Sequence, residues 1–541
     1  MIGRVTDKLH TAKTLLDTGI VSPTRPDKLL RIGLAYQRWG PTPALGYTGS
    51  AIRYPDETAI IDELGTLSFR EVQERTNALA HAFSDAGILE GDGVAIMCRN
   101  HRGFIDATVA LSKLGANALY LNTAFAGPQI TDVVDREKPV AIIYDAEFEE
   151  LVHDAGVRRK RFIGWHDGGE KPKDPLLEDL IAQGDPSDVV APSEKGRVVI
   201  LTSGTTGTPK GASRKQPDSI GPAAALFSKI PLRARETTMI AAPMFHSWGF
   251  AHFTLGMGLS STLVMRRKFE PEATLSLTAQ HEATALAVVP VMLQRILELP
   301  VETIQKYDLS ALRVIAASGS ALPGELATRT MDAFGDVLYN LYGSTEVAWA
   351  TIATPEDLRA APGTAGRPPR GTVVKLYDEE GRAITKAGDT GRIFVANEML
   401  FEGYTGGGNK DVIDGLMSTG DVGHFDADGH LFVDGRDDEM IVSGGENVFP
   451  REVEDLLHDH DAIDEVAIIG VEDEKFGQRL KAYAVKSKGK KVSEDDLKGY
   501  VKKNLAGYKV PREIVFVDEL PRNATGKVLK RELLEQHNDD G

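Results

Sequence analysis

One cysteine in 541 residues rules out an internal disulfide, so the chain suits a reducing cytoplasm. Cys98, in Ala95-Ile96-Met97-Cys98, reads as a small apolar residue of a strand and not as a nucleophile. Positive charge is also short. The chain carries 62 Lys and Arg against 79 Asp and Glu, a formal charge of -17. That argues against nucleic acid as a general partner, because a phosphate backbone needs a basic face. A single nucleotide needs only a local site. Long apolar runs are missing too. The uncharged stretch from Pro243 to Met265 is broken by His246, Ser247, Gly249 and His252, and reads as buried protein around a pocket, not as a membrane span. Residues Met1 to Asp7 show no secretory apolar region.

What is present is an ordinary apolar fraction of 42% in a chain too long for one core, so two or more domains are expected. Leu29 to Trp39 reads as an amphipathic helix with basic flanks. It would either pack on the main domain or contact a membrane surface. Ser68-Phe69-Arg70-Glu71 is a capping box, followed at helical spacing by Val72, Thr76, Leu79, Ala80 and Phe83. Gly93 to Met97 and Val140 to Tyr144 read as strands, and the alternation continues through Val109-Ala110-Leu111 and Ala118 to Leu121. Repeated helix–strand units imply α/β architecture. Residues 165–196 read as a surface connection, and the loop after it as the start of a second α/β unit.

That loop is Thr202-Ser203-Gly204-Thr205-Thr206-Gly207-Thr208-Pro209-Lys210-Gly211, entered from the apolar strand Val198 to Leu201. It offers hydroxyls, bare backbone N–H groups and one mobile cation to an anion. The natural ligand is a polyphosphate. The P-loop spacing is absent, since Lys210 lies between Pro209 and Gly211. Four further stretches follow. Val314 to Ala317 runs into Ser318-Gly319-Ser320 and a helix with Pro323 near its start. Val337 to Leu341 delivers Tyr342-Gly343-Ser344-Thr345-Glu346. Ser418-Thr419-Gly420-Asp421 precedes a hairpin signal at Asp428-Gly429. Pro521 to Lys527 has the spacing Pro-x-x-x-x-Gly-Lys.

These stretches, in this order, resemble the adenylate-forming superfamily of acyl-CoA synthetases, coumarate ligases, luciferases and peptide-synthetase adenylation domains. The overall likeness is to actinobacterial fatty-acyl-CoA synthetases. The resemblance implies ATP, Mg²⁺ and CoA as ligands. It places ATP or AMP at Thr202, Ser203, Gly204, Thr205, Thr206, Gly207 and Lys210, at Ser318, Gly319 and Ser320, at Asn340, Leu341, Tyr342, Gly343 and Ser344, and at Asp421 and Arg436. Tyr342 would stack on adenine, Thr345 would bond the α-phosphate, and Asp421 would accept from both ribose hydroxyls. Glu346, with Thr202, would hold Mg²⁺. Lys527 would be the catalytic lysine. His246, Trp248, Gly249 and Phe250 would lie at an acyl pocket, Ser443, Gly444 and Gly445 along a CoA tunnel, and Asp438 at a hinge. Some relatives carry lysines where Val442 and Gly444 stand here, which speaks against a luciferase-like role.

The implied fold is α/β. A large N-terminal domain, residues 1–435, would combine α/β subdomains with a β-barrel-like part, and a small mobile α+β domain would span 436–541. The implied activity is AMP-forming ligation of a medium- to long-chain fatty acid to CoA. An acyl-AMP ligase loading a carrier protein, an aryl-CoA ligase and an inactive nucleotide-binding sensor share the same motifs. The expected location is cytoplasmic, with membrane contact open to residues 1–50. A homodimer is expected only because two-fold oligomers are common.

Overall fold

The computed structural model describes residues 2–125, 127–156, 159–170, 172–202, 210–214, 220–405, 407–443, 446–473, 477–505, 507–523 and 526–540. Two largely parallel sheets form the body of the large N-terminal part. In one, Gly93–Met97, Asn117–Tyr120, Ala141–Asp145, Lys160–Trp165 and Val198–Thr202 run parallel. In the other, Thr58–Asp62, Thr237–Ile240, Thr262–Met265, Ala285–Val288, Val314–Ala317 and Leu338–Tyr342 do the same. Their apolar runs follow from burial on both faces. Every residue of Ala141–Asp145, Ala285–Val288 and Val314–Ala317 is buried.

A third sheet is antiparallel. It contains Val373–Tyr377, Gly391–Ala396, Leu416–Phe425 and Leu431–Arg436, with the Asp428-Gly429 turn joining the last two. A fourth sheet belongs to the smaller C-terminal part. It is built on the long hairpin of Ile463–Asp473 and Gly477–Lys486, with Glu513–Val517 beside it. Helix Pro450–His458 packs on this sheet through Val453 and Leu457.

Helix starts follow local chemistry. Ser68 and Glu71 close a capping box on Phe69–Asp85, and Ser493 and Asp496 close one on Glu494–Asn504. Helix Arg102–Leu114, which contains Val109-Ala110-Leu111, and the strand Asn117–Tyr120 after it continue the helix–strand alternation. Two segments differ from the sequence reading. The connection 165–196 carries a helix, Leu177–Gln183, anchored by buried Leu177. The phosphate-type loop does not open a second α/β unit. It joins two antiparallel strands of the first sheet, Val198–Thr202 and Lys210–Arg214, with Lys210 opposite Thr202. Gly211 permits this arrangement. A Cβ there would lie 2.7 Å from both Thr405 Oγ1 and Val199 Cγ1.

Cys98 also departs from its reading as a plain apolar residue. It lies just past its strand, beside a buried pair in which His101 Nε2 and Asp145 Oδ1 are 2.8 Å apart. Burial, with Asp145 adjacent, raises its thiol pKa well above the ordinary value. That leaves the thiol inert. The N-terminal fifty residues form three helices, Ile2–Asp17, Pro26–Trp39 and Pro43–Arg53. The third is part of the core, where Tyr47 meets Phe69 and Phe253.

Candidate active site

The C-terminal ends of parallel strands in an open α/β sheet are where ligands bind. Here the strands Val314–Ala317 and Leu338–Tyr342 end side by side. Ser318 follows the first. Its hydroxyl donates to the carbonyl of Leu341 at 2.7 Å, tying the two strand ends together. Gly319 then takes φ +97°, a conformation that favours glycine. These ends open onto a cleft of about 400 Å³, a normal size for a small-molecule site.

Gly319, Ser320, Asn340, Leu341, Tyr342, Gly343, Ser344, Asp421, Arg436 and Lys527 all line that cleft. They come from segments up to about two hundred residues apart, yet they meet. Asp421 is the junction. Its Oδ2 accepts from the Tyr342 hydroxyl at 2.6 Å, and its Oδ1 from Arg436 Nη1 at 3.3 Å. Burial raises the pKa of this carboxyl, and Arg436, Tyr342 and the nearby Lys527 oppose the rise. Asn340 supplies a different feature. Its side chain is buried, and its Oδ1 has no hydrogen-bond partner. A buried acceptor left unmade is costly, and it suits a ligand that brings an amino group, as adenine does.

Thr345 and Glu346 continue from Tyr342 toward the other half of the site. Thr345 Oγ1 lies 3.3 Å from Ser247 Oγ, at the start of helix Ser247–Leu259. Glu346 is buried, and its Oε1 accepts from the Tyr404 hydroxyl at 2.7 Å. Tyr404 was missed by the sequence reading, because it reaches Glu346 from a strand 58 residues downstream. A buried carboxylate with two oxygens, beside this cleft, is a donor set that fits a hard cation such as Mg²⁺.

His246 caps the helix Ser247–Leu259, and Asn122 Nδ2 donates to its Nε2 at 3.5 Å. Desolvation lowers its pKa to about 4, so the ring is neutral at ordinary pH, although the residue is not fully buried. Trp248 and Phe250 do not share a wall. Residues two apart on a helix point about 200° apart. Trp248 Nε1 donates to the carbonyls of Val288 and Ala316, at 3.1 and 3.2 Å, and packs with the second sheet. Phe250 packs on Tyr120 on the other side, with ring centroids 5.3 Å apart. Gly249 allows the first turn to sit against Pro243, whose carbonyl oxygen would be 2.3 Å from a Cβ.

Lys527 is presented by a tight turn. Its N–H donates to Asn523 Oδ1 at 2.9 Å, Asn523 N–H donates to the Lys527 carbonyl at 2.9 Å, and Gly526 takes φ +79°. Asn523 was not anticipated as the residue that shapes this turn. The 3₁₀ turn Asp437–Glu439, which contains Asp438, is held from both sides. Arg392 of the third sheet pairs with Asp437 at 3.0 Å, and Lys530 of the C-terminal part pairs with Glu439 at 3.3 Å. Ser443 ends the strand Ile441–Ser443. The expected sites at Ser203, Gly204, Thr205, Thr206, Gly207, Gly444 and Gly445 lie outside the described residues, as do the side chains of Thr202 and Lys210.

Comparison with known proteins agrees with this geometry. Residues 48–405 match the family model described as AMP-binding enzyme, and residues 452–527 match that of the AMP-binding enzyme C-terminal domain. A feruloyl-CoA synthase of an Amycolatopsis species is 31% identical over 484 residues, covering 88% of this chain and 96% of the relative. A long-chain-fatty-acid–CoA ligase of Bacillus subtilis is 28% identical over 536 residues, covering 91% and 94%. The solved o-succinylbenzoate CoA synthetase of Bacillus subtilis, in complex with its acyl-adenylate intermediate, superposes with a TM-score of 0.77 at 26% identity, over 90% of this chain and 97% of that one. The chain therefore belongs to the AMP-binding enzyme family, the adenylate-forming superfamily that its motifs resemble.

Proposed function

We propose that this chain activates a medium- to long-chain fatty acid with ATP and passes the acyl group to CoA. The coarser statement, an acid–CoA ligase working through an acyl-adenylate, rests on the family and on relatives matched over most of both chains. The observation that carries the reading is the meeting of Asn340, Tyr342, Asp421, Arg436 and Lys527 around one cleft.

In the first step a carboxylate oxygen attacks the α-phosphorus of ATP, the bond to the β-phosphate bridge breaks, and pyrophosphate leaves. Two anions must approach, so positioning and a positive field do most of the work. Lys527 and Lys210 supply that field, Thr345 bonds the α-phosphate, and Arg436 and Asp421 hold the ribose. Glu346 and Thr202 would hold Mg²⁺, which would screen the phosphate charge. In the second step the CoA sulfur attacks the acyl carbonyl, the acyl–phosphate bond breaks, and AMP leaves. Lys527 serves only the first step. The C-terminal part would then turn about Asp438 and bring Ser443, Gly444 and Gly445 to the thiol.

The acyl side supports an uncharged substrate tail. Helix Ser247–Leu259, which follows His246, contains no Asp, Glu, Lys or Arg. A second charge on the substrate would lack a partner on this helix. An aryl acid is the second reading, favoured by the feruloyl-CoA synthase match and by the Phe250–Tyr120 pair. A panel of straight-chain acids of increasing length beside hydroxycinnamic acids, scored for AMP formation with and without CoA, tests both. Rates that rise with chain length support the first, and a preference for the cinnamic acids replaces it with the second. CoA-independent AMP formation restored by a carrier protein would favour the carrier-loading alternative. No pyrophosphate with any acid would leave the sensor reading.

A further inference from the structure

The first 53 residues carry eight Lys and Arg against three Asp and Glu, although the whole chain is strongly acidic. This basic segment also concentrates exposed apolar side chains. Of the fifteen large hydrophobic residues exposed among the described residues, six lie between positions 16 and 36: Leu16, Val21, Leu29, Leu30, Leu34 and Tyr36. The other nine are scattered singly, which is ordinary for a protein surface.

Helix Pro26–Trp39 explains the pattern. Ala35 and Trp39 are buried on one side. Lys28 Nζ donates to the carbonyl of Arg53 at 2.6 Å and Arg53 donates to Ser22 at 2.7 Å, so the helix is fixed to its neighbour. The opposite side presents Leu30 and Leu34, with Leu29 and Tyr36 on one flank and exposed Arg31 and Asp27 on the other, Asp27 pairing with Arg25 at 3.0 Å. An exposed apolar stripe on a segment of net positive charge suits a helix lying in a membrane interface.

We propose that this face rests on an anionic lipid surface. Charge complementarity selects that occupant, because a segment with eight cations against three acids would repel a second copy of itself and attract acidic headgroups. Four side chains about half to two-thirds exposed also fall short of the roughly 800 Å² per partner that a specific protein interface buries. The placement has a use. Helix Pro26–Trp39 packs on Pro43–Arg53, whose Ser50 hydroxyl donates to the Met257 carbonyl of helix Ser247–Leu259. That helix begins at His246, so the lipid face and the proposed acyl mouth belong to one packed block of helices. The inference does not depend on which acid is used.

The test is co-sedimentation of the full chain with vesicles of phosphatidylcholine alone and of phosphatidylcholine with 30% phosphatidylglycerol, at low and high salt. The chain should bind the anionic vesicles at least tenfold better, and high salt should weaken binding. Leu30→Glu with Leu34→Glu should abolish it, and Arg31→Glu should weaken it severalfold, while activity on a soluble short-chain acid stays unchanged. Both positions are exposed, and Leu30→Ser with Leu34→Ser gives a milder version of the same test. Equal binding by the wild type and the double variants would overturn the proposal. So would a dimer in solution that the double variants split, which would assign the face to a second copy.

Discussion

Gly526 and Val291 touch across the junction between the lysine-bearing turn and the large N-terminal part: a Cβ built on Gly526 would fall 2.2 Å from Val291 Cγ1. Gly526 also has φ +79°. The turn can therefore dock with Lys527 at the cleft only because position 526 has no side chain. Alanine there adds roughly 1–2 kcal/mol of backbone strain and about 1–3 kcal/mol of overpacking in the docked pose. Gly526→Ala should slow acyl-AMP formation at least ~10-fold, measured as pyrophosphate release. Thioester formation from supplied acyl-AMP should be spared. Val291→Ala added to the same chain should restore part of the loss. Equal slowing of both half-reactions would show that the contact is not specific to the adenylating pose.

Lys527 and Asp438 should separate the two steps in opposite directions. Lys527→Ala removes the proposed transition-state donor and should lower acyl-AMP formation by about 10²-fold or more, leaving the thiol step intact. Asp438→Pro fixes a backbone dihedral inside the Asp437–Glu439 turn. It should keep acyl-AMP formation and reduce CoA-dependent turnover in a coupled assay. Unchanged turnover would remove the hinge.

Asn340 provides the test of base recognition. Its unpaired Oδ1 faces the cost of a buried acceptor until a donor arrives. Asn340→Ala should raise KM for ATP by about 5- to 10-fold, the worth of roughly one hydrogen bond, with little change in KM for the acid. Such a pattern marks lost ground-state binding. A KM for ATP equal to that of the wild type would place adenine elsewhere.

Much of the fold was legible because burial leaves a plain signature. Val140 to Tyr144 reads as a strand and forms one at Ala141–Asp145, and the run Val314–Ala317 is a strand too, since parallel strands covered on both faces need unbroken apolar runs. Ser68 marked a helix start through capping chemistry that is entirely local. What stayed hidden was set by neighbours distant in sequence. Lys210–Arg214 is too polar to announce a strand, and exists because Val198–Thr202 and Phe401–Tyr404 pair with its two edges. In the candidate site, the motifs named ten of the residues that line the cleft. They could not name Tyr404 behind Glu346 or Val291 against Gly526, because those contacts arise only when separate elements pack. Trp248 and Phe250 looked equivalent in the sequence and separate on the helix because of its turn angle.

His252 gives a prediction about acid stability. It is 2% exposed, its Nε2 has no hydrogen-bond partner, and its ring packs edge-on against Trp248. Burial lowers its pKa from 6.5 to about 4. Between those values the unfolded chain binds a proton that the folded chain refuses, so the stability it permits is full above pH 6.5 and falls as pH drops toward 4. The slope is about 1.4 kcal/mol per pH unit for one such group, and His246 acts in the same direction. His252→Phe keeps an aromatic ring against Trp248 and removes the titration. The denaturant midpoint of that variant should fall less steeply between pH 6.5 and 4 than that of the wild type, by roughly one proton. At pH 8, where the histidine is neutral in both states, the two midpoints should lie close together. A variant that tracks the wild type through the acid range would mean that His252 takes up its proton in the folded chain, against the desolvation that its surroundings impose.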